Sequence, residues 1–135
     1  MEEFEELTAD VLKDFINITP TRYNTSQKKL CFAIIKRMYR RVKMGYKNLG
    51  GIKICNDKGI VIDGNHRYIT YLLAGIEIEY IIWTSSLCDE VILYKEVEID
   101  ETKDWDEYLY DKRKFIKDKN FIESYNKENK NDFFP

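Results

Sequence analysis

Apolar positions recur along the chain with two different periods, and the switch between them marks out the elements. In residues 1–24, Leu7, Val11, Leu12, Phe15 and Ile18 fall on one helical face, predicting a short helix that starts near Thr8 and stops at Pro20. After the turn-like TPTRYN, Thr25 or Ser26 is placed to cap a second helix over 27–44. There Leu30, Ile34, Met38 and Val42 occupy every fourth position, Cys31 and Ile35 lie beside them, and Gly45 can end the run. The period then drops to two. Ile52 and Ile54 alternate with Lys53 and Cys55, Asn56-Asp57-Lys58-Gly59 supplies turn chemistry, and Ile60-Val61-Ile62 reads as the second strand of a hairpin. A sharp strand-to-helix break follows at Asp63-Gly64-Asn65-His66-Arg67, since Tyr68, Ile69, Leu72 and Leu73 return to helical spacing and Gly75 can close the helix.

Ile76, Ile78, Tyr80 and Ile82 alternate with Glu77, Glu79 and Ile81, predicting a further strand over 76–82, and Val91 to Ile99 is read as one more strand in preference to a short helix. Trp83 with Thr84-Ser85-Ser86 reads as a loop. Trp105, Tyr108, Leu109, Phe115 and Ile116 form the stripe of a C-terminal amphipathic helix over 104–125, with Asp100 or Thr102 as its cap and a polar tail beyond. The expected architecture is α+β: one domain over 1–100 with a small mixed β-sheet, and a helical extension over 101–135.

Composition narrows the function classes. A chain of 135 residues that is 44% apolar supports one domain with its own core. Its 22 basic and 24 acidic residues leave a net charge of −2, so no global field draws it to nucleic acid or a membrane surface, and any such contact must be local. The local candidate is the basic face of the second helix, where Lys36, Arg37, Arg40 and Arg41 read either as a solvated face or as a track for nucleic acid. Cys31, Cys55 and Cys88 are far apart and lack a C-x-x-C spacing, which suggests neither a disulfide framework nor a zinc site. The opening MEEFEELTAD lacks the apolar run of a secretory signal, and no apolar stretch approaches the roughly 20 residues that span a bilayer. A cytoplasmic protein without membrane attachment is expected.

Reactive side chains concentrate at the break between strand and helix. A helix N-terminus offers unpaired N–H groups and partial positive charge, and Gly64 lets backbone approach an oxyanion closely, so phosphate is the natural guest. Arg67 can bind phosphate bidentately, and His66, the chain's one histidine, can donate a hydrogen bond or move a proton near neutral pH. Asp63 could orient His66, hold magnesium or act as a base, and Asn65 adds a neutral donor and acceptor. A plainer reading makes Asp63 the N-cap, Gly64 a turn residue, and His66 and Arg67 solvated. Against it, two potentially cationic side chains in a positive first turn are unfavourable unless an anion or carboxylate compensates them.

The run I-V-I-D-G-N-H-R-Y-I-T-Y-L-L-A-G-I at 60–76, with G-G-I-K-I at 50–54 before it, resembles the signature of the ParB/sulfiredoxin superfamily, and the likeness extends over about 45–83. The resemblance implies a turn that binds nucleotide phosphates, in a family of CTP-dependent DNA-segregation clamps, sulfiredoxin, free-serine kinases and nucleases of mobile elements. The departures are specific. Asn65 stands where sulfiredoxin-like turns carry the cysteine of G-C-H-R. Ile69 replaces the later arginine of the clamp motif G-E-R-R-x-R-A. The kinases resemble this turn more closely, and Glu5, Glu6 and Asp10 are candidates for their N-terminal catalytic carboxylate.

The leading expectation is a nucleotide-binding phosphotransferase or NTP hydrolase using ATP or CTP with Mg2+. In it Asp63, His66 and Arg67 are catalytic, Gly64, Asn65, His66 and Arg67 bind phosphate, and Asp63 holds the metal. Two alternatives stay open: a phosphodiesterase or nuclease using the basic face, and a non-catalytic interaction protein of a mobile element that docks a protein partner through its C-terminal helix.

Overall fold

The computed structural model describes residues 6–86 and 89–105. Helix α1 spans Ala9–Ile18 and opens as its sequence directs: Thr8 Oγ1 accepts the Val11 N–H at 3.2 Å. Leu7, just before the cap, and Leu12 are both buried, the arrangement of a hydrophobic staple. Thr19 leaves the helix with extended backbone because Pro20 follows. The face that packs is Leu12, Phe15 and Ile16. Val11 and Ile18, expected on it, are 55% and 76% exposed.

The second helix, α2, spans Phe32–Lys43 and starts five residues later than its apolar spacing suggests. Asn24–Thr25 forms strand β1, and Thr25 Oγ1 accepts the Gln27 N–H at 3.0 Å in a local turn instead of capping a helix. Lys29–Cys31 forms strand β2, which runs parallel to strand β6, Glu98–Asp100, far along the chain. Leu30 and Cys31 suit a helical stripe and a strand equally, and the distant partner decides. Gly45 follows the C-cap Met44, as expected.

The hairpin is present as strands β3, Ile52–Cys55, and β4, Ile60–Asp63, antiparallel with an irregularity between Lys53 and Ile54. β4 feeds helix α3, Asn65–Ala74, which packs on α2 and closes at Gly75. The Ile76 N–H returns to Tyr71 O at 3.0 Å, so this backbone is used to end the helix. The strand expected over 76–82 is therefore only Tyr80–Ile82, β5, while Ile76 and Ile78 pack on the core as irregular chain. The expected strand over 91–99 is also broken. Ile92 bridges Thr25, a 3-10 turn spans Tyr94–Glu96, and β6 follows, because Tyr94 turns its ring inward.

The result is a small α+β domain: a mixed sheet of order β1-β4-β3-β5 and a two-stranded parallel ribbon, β2-β6. Its core joins Leu12, Ile35, Ile52, Ile54, Val61 and Ile69 to a tyrosine cluster in which Tyr68 is fully buried against Tyr94, with ring centroids 5.6 Å apart. Among the described residues no helix is long and apolar enough to cross a membrane. The C-terminal helix expected over 104–125 lies outside the described residues, apart from its first positions.

Candidate functional site

Strand β4 carries Asp63 to the end of the sheet, and the backbone turns into α3 at Gly64 with φ +97°. A Cβ at Gly64 would stand 2.8 Å from Arg67 Nη2 and 2.9 Å from Ile52 Cδ1, so glycine is required both for conformation and for space. Gly64 is the N-cap, which corrects the plainer reading of Asp63 as the cap. Glycine brings no side-chain acceptor and the first turn holds no acidic residue, so no side chain caps the leading N–H groups of α3.

Arg67 lies over this turn. A Cβ on Gly50, whose φ is +104°, would stand 2.7 Å from Arg67 Nη1, so the guanidinium is seated between Gly50 and Gly64. Its contacts are long: Nη1 donates to Leu49 O at 3.4 Å, and Nη2 stands 3.6 Å from Asp63 Oδ2. Both exceed the 2.7–2.9 Å of strong charge-assisted bonds, so the fork of donors retains capacity for an oxyanion. Tyr71 fixes the facing loop, since its hydroxyl accepts the Leu49 N–H at 2.9 Å and donates to Gly50 O at 2.8 Å.

His66 differs from expectation. Its Nε2 accepts the Cys31 N–H at 2.8 Å, and burial lowers its pKa to about 4. The imidazole is therefore neutral at neutral pH and carries its proton on Nδ1. It supplies a neutral donor, so the second first-turn cation read from sequence is corrected. The remaining first-turn cation, Arg67, has Asp63 beside it.

Asn65 is buried, and its Oδ1 accepts from Thr25 Oγ1 and from the Tyr94 hydroxyl, each at 2.6 Å. Its side-chain carbonyl ties β1 and the 3-10 turn to the start of α3. Sequence spacing does not single out these supports: Thr25, Tyr94 and Cys31 lie 40, 29 and 34 positions from Asn65, and Tyr71, six residues along α3, acts on the facing loop.

Residues 63–67 border a cleft of about 430 Å³. Its lining combines the polar residues Gln27, Asp63, Asn65, His66 and Arg67 with the apolar Ile34, Met38, Ile62 and Trp105. The Asp63 side chain is 63% exposed. Among the described residues no cluster of three or more His, Cys, Asp or Glu could hold a metal by itself. A magnesium ion here would take Asp63 as its carboxylate and fill its remaining positions with phosphate oxygens and water, a common arrangement for that ion.

The other candidates lie elsewhere or are engaged. On α2, Arg37 donates to both Asp104 oxygens at 2.7 and 3.1 Å, Arg40 pairs with Glu6, and the Lys36 ammonium sits 6.0 Å over the Phe32 ring, while Arg41 is half-buried. Lys53 Nζ lies 4.4 Å over the Trp83 ring. Thr84 to Ser86 form a loop, as expected. Glu6 and Asp10 do not line the cleft, and Glu5 lies outside the described residues. Comparison with protein-family models, with curated proteins and with solved structures finds no match to this chain.

Proposed function

We propose that the chain is a ParB/sulfiredoxin-like nucleotide-binding protein that holds the phosphates of ATP or CTP at residues 63–67, with phosphotransfer or NTP hydrolysis as its chemistry. The observation that carries this reading is Arg67: a guanidinium seated between two glycines of positive φ, at the border of a cleft, with both of its contacts at 3.4 Å or longer. The uncapped N–H groups of α3 and the His66 Nδ1–H are further donors for phosphate oxygens, and Arg67 supplies the charge that stabilises phosphoryl transfer. Asp63 is the residue that would hold magnesium, which supplies further neutralisation of phosphate charge when bound with the nucleotide. Asn65 acts by holding the turn. Because Asp104 and Glu6 engage Arg37 and Arg40, the α2 track keeps less charge for a nucleic acid, and a free nucleotide is the better-supported ligand.

Thermal unfolding with ATP, CTP, GTP and ADP, each with and without magnesium, tests this in the wild type and in Arg67→Ala. A ligand at about 100 times its Kd stabilises the folded state by about 2.7 kcal/mol, a shift of several degrees. The expected result is a rise in the wild type that is lost in a folded Arg67→Ala. No rise with any nucleotide would overturn the reading.

A further inference from the structure

The last described residues return to the cleft, and they are fastened there. Cys31 sits at the junction: its N–H donates to His66 Nε2, its Sγ donates to Lys103 O at 3.3 Å, and its strand partner is Asp100. Asp100 Oδ1 accepts from the Thr102 N–H, the Thr102 hydroxyl and the Lys103 N–H at 2.8–3.3 Å, and its Oδ2 accepts the indole N–H of Trp105 at 2.9 Å. These donors hold the Asp100 carboxyl well below the usual carboxylate range. Asp104 adds the two-bonded pair with Arg37, whose side chain is 11% exposed. The indole is thus tied to Asp100, and the residues just before it are tied to Cys31 and Arg37.

Trp105 is nonetheless only half-buried, and it lines the cleft together with His66 and Arg67. The His66 and Trp105 rings meet at 88° with centroids 5.4 Å apart. An edge contact of this kind occupies at most one face of the indole. Ile34, Met38 and Ile62 are further apolar residues of the lining. Oxyanion donors and a fixed aromatic surface in one cleft match a ligand with a charged part and a flat aromatic part.

We propose that Trp105 is the stacking platform for the base of the bound nucleotide, so that the cleft selects phosphates that carry an aromatic base over those that do not. This rests on the phosphate reading of residues 63–67. The side chain determines specificity and takes no part in bond making. Stacking tolerates every base, since each has a π face, so preference between ATP and CTP is set by other groups.

Calorimetric titration of the full chain with ATP, CTP and inorganic tripolyphosphate, each with magnesium, tests the proposal in wild type, Trp105→Leu and Trp105→Phe, with circular dichroism to confirm folding. The wild type is expected to bind nucleotides at least tenfold more tightly than tripolyphosphate. Trp105→Leu is expected to lose about tenfold in nucleotide affinity while its tripolyphosphate affinity stays within about twofold, the loss of one base stack. Trp105→Phe keeps a ring and is expected to retain most of the nucleotide affinity; should the leucine variant not fold, equal loss of nucleotide and tripolyphosphate binding in Trp105→Phe would overturn the proposal. Equal weakening of both ligands by Trp105→Leu, or wild-type affinities that do not distinguish nucleotide from tripolyphosphate, would overturn it while leaving the phosphate reading intact. Binding of neither ligand would overturn both.

Discussion

Replacing His66 by glutamine should make the protein more resistant to mild acid. In the folded chain His66 has a pKa of about 4, because it is buried, and its Nε2 is already engaged by the Cys31 N–H. In the unfolded chain it titrates near the ordinary value of about 6.5. As pH falls below 6.5 the unfolded state takes up the proton first, so the folded state loses relative stability until its own histidine protonates near pH 4; below that the penalty is constant. At 1.36 kcal/mol per pKa unit, the loss is about 2 kcal/mol at pH 5 and about 3 kcal/mol at pH 4. Glutamine does not titrate, and its side-chain carbonyl can accept the same Cys31 N–H. Urea unfolding of both proteins between pH 7.5 and 4 measures the difference directly, and carboxylates common to both cancel. The two are expected to be similar at pH 7.5 and to diverge in favour of His66→Gln as pH falls. A difference that stays constant over this range would refute the reasoning, as would an imidazole that titrates near 6.5 by NMR in the folded protein.

Other outcomes follow from the geometry of the turn. Gly64→Ala forces an L side chain to φ +97° against Arg67 and Ile52, and is expected to cost about 1–3 kcal/mol in denaturant unfolding and to weaken nucleotide binding by moving Arg67. Tyr94→Phe removes one of the two hydroxyls on Asn65 Oδ1 and is expected to cost about 1 kcal/mol while Thr25 keeps the carbonyl satisfied. The double variant with Thr25→Val should exceed the sum of the singles in the same assay, because the buried carbonyl is then left unpaired.

Local order was readable wherever local chemistry decides it. The helix start near Thr8, the stop at Pro20, the hairpin around Asn56 to Gly59, the strand-to-helix break at Gly64 and the close at Gly75 each depend on neighbours within a few residues. The departures from the sequence pattern depend on distant partners. Residues 29–31 became a strand through pairing with 98–100, and Tyr94 broke an apparent strand because its hydroxyl reaches Asn65. The same holds for the site. The residue types at 63–67 pointed to an anion, but the roles of Asn65 and His66 were set by Thr25, Tyr94 and Cys31. Burial moved His66 from a cation to a neutral donor, a change that sequence spacing does not carry.

The central claim, a nucleotide phosphate held at residues 63–67, is tested most directly by following backbone and arginine side-chain resonances in ¹H–¹⁵N NMR spectra while ATP or CTP with magnesium is added. The expected result is that the largest shifts fall on the amides of Gly64 to Arg67 and on the Arg67 guanidinium, and that Arg67→Ala removes them. Saturating nucleotide that leaves these resonances in place, or shifts confined to another surface, would contradict it.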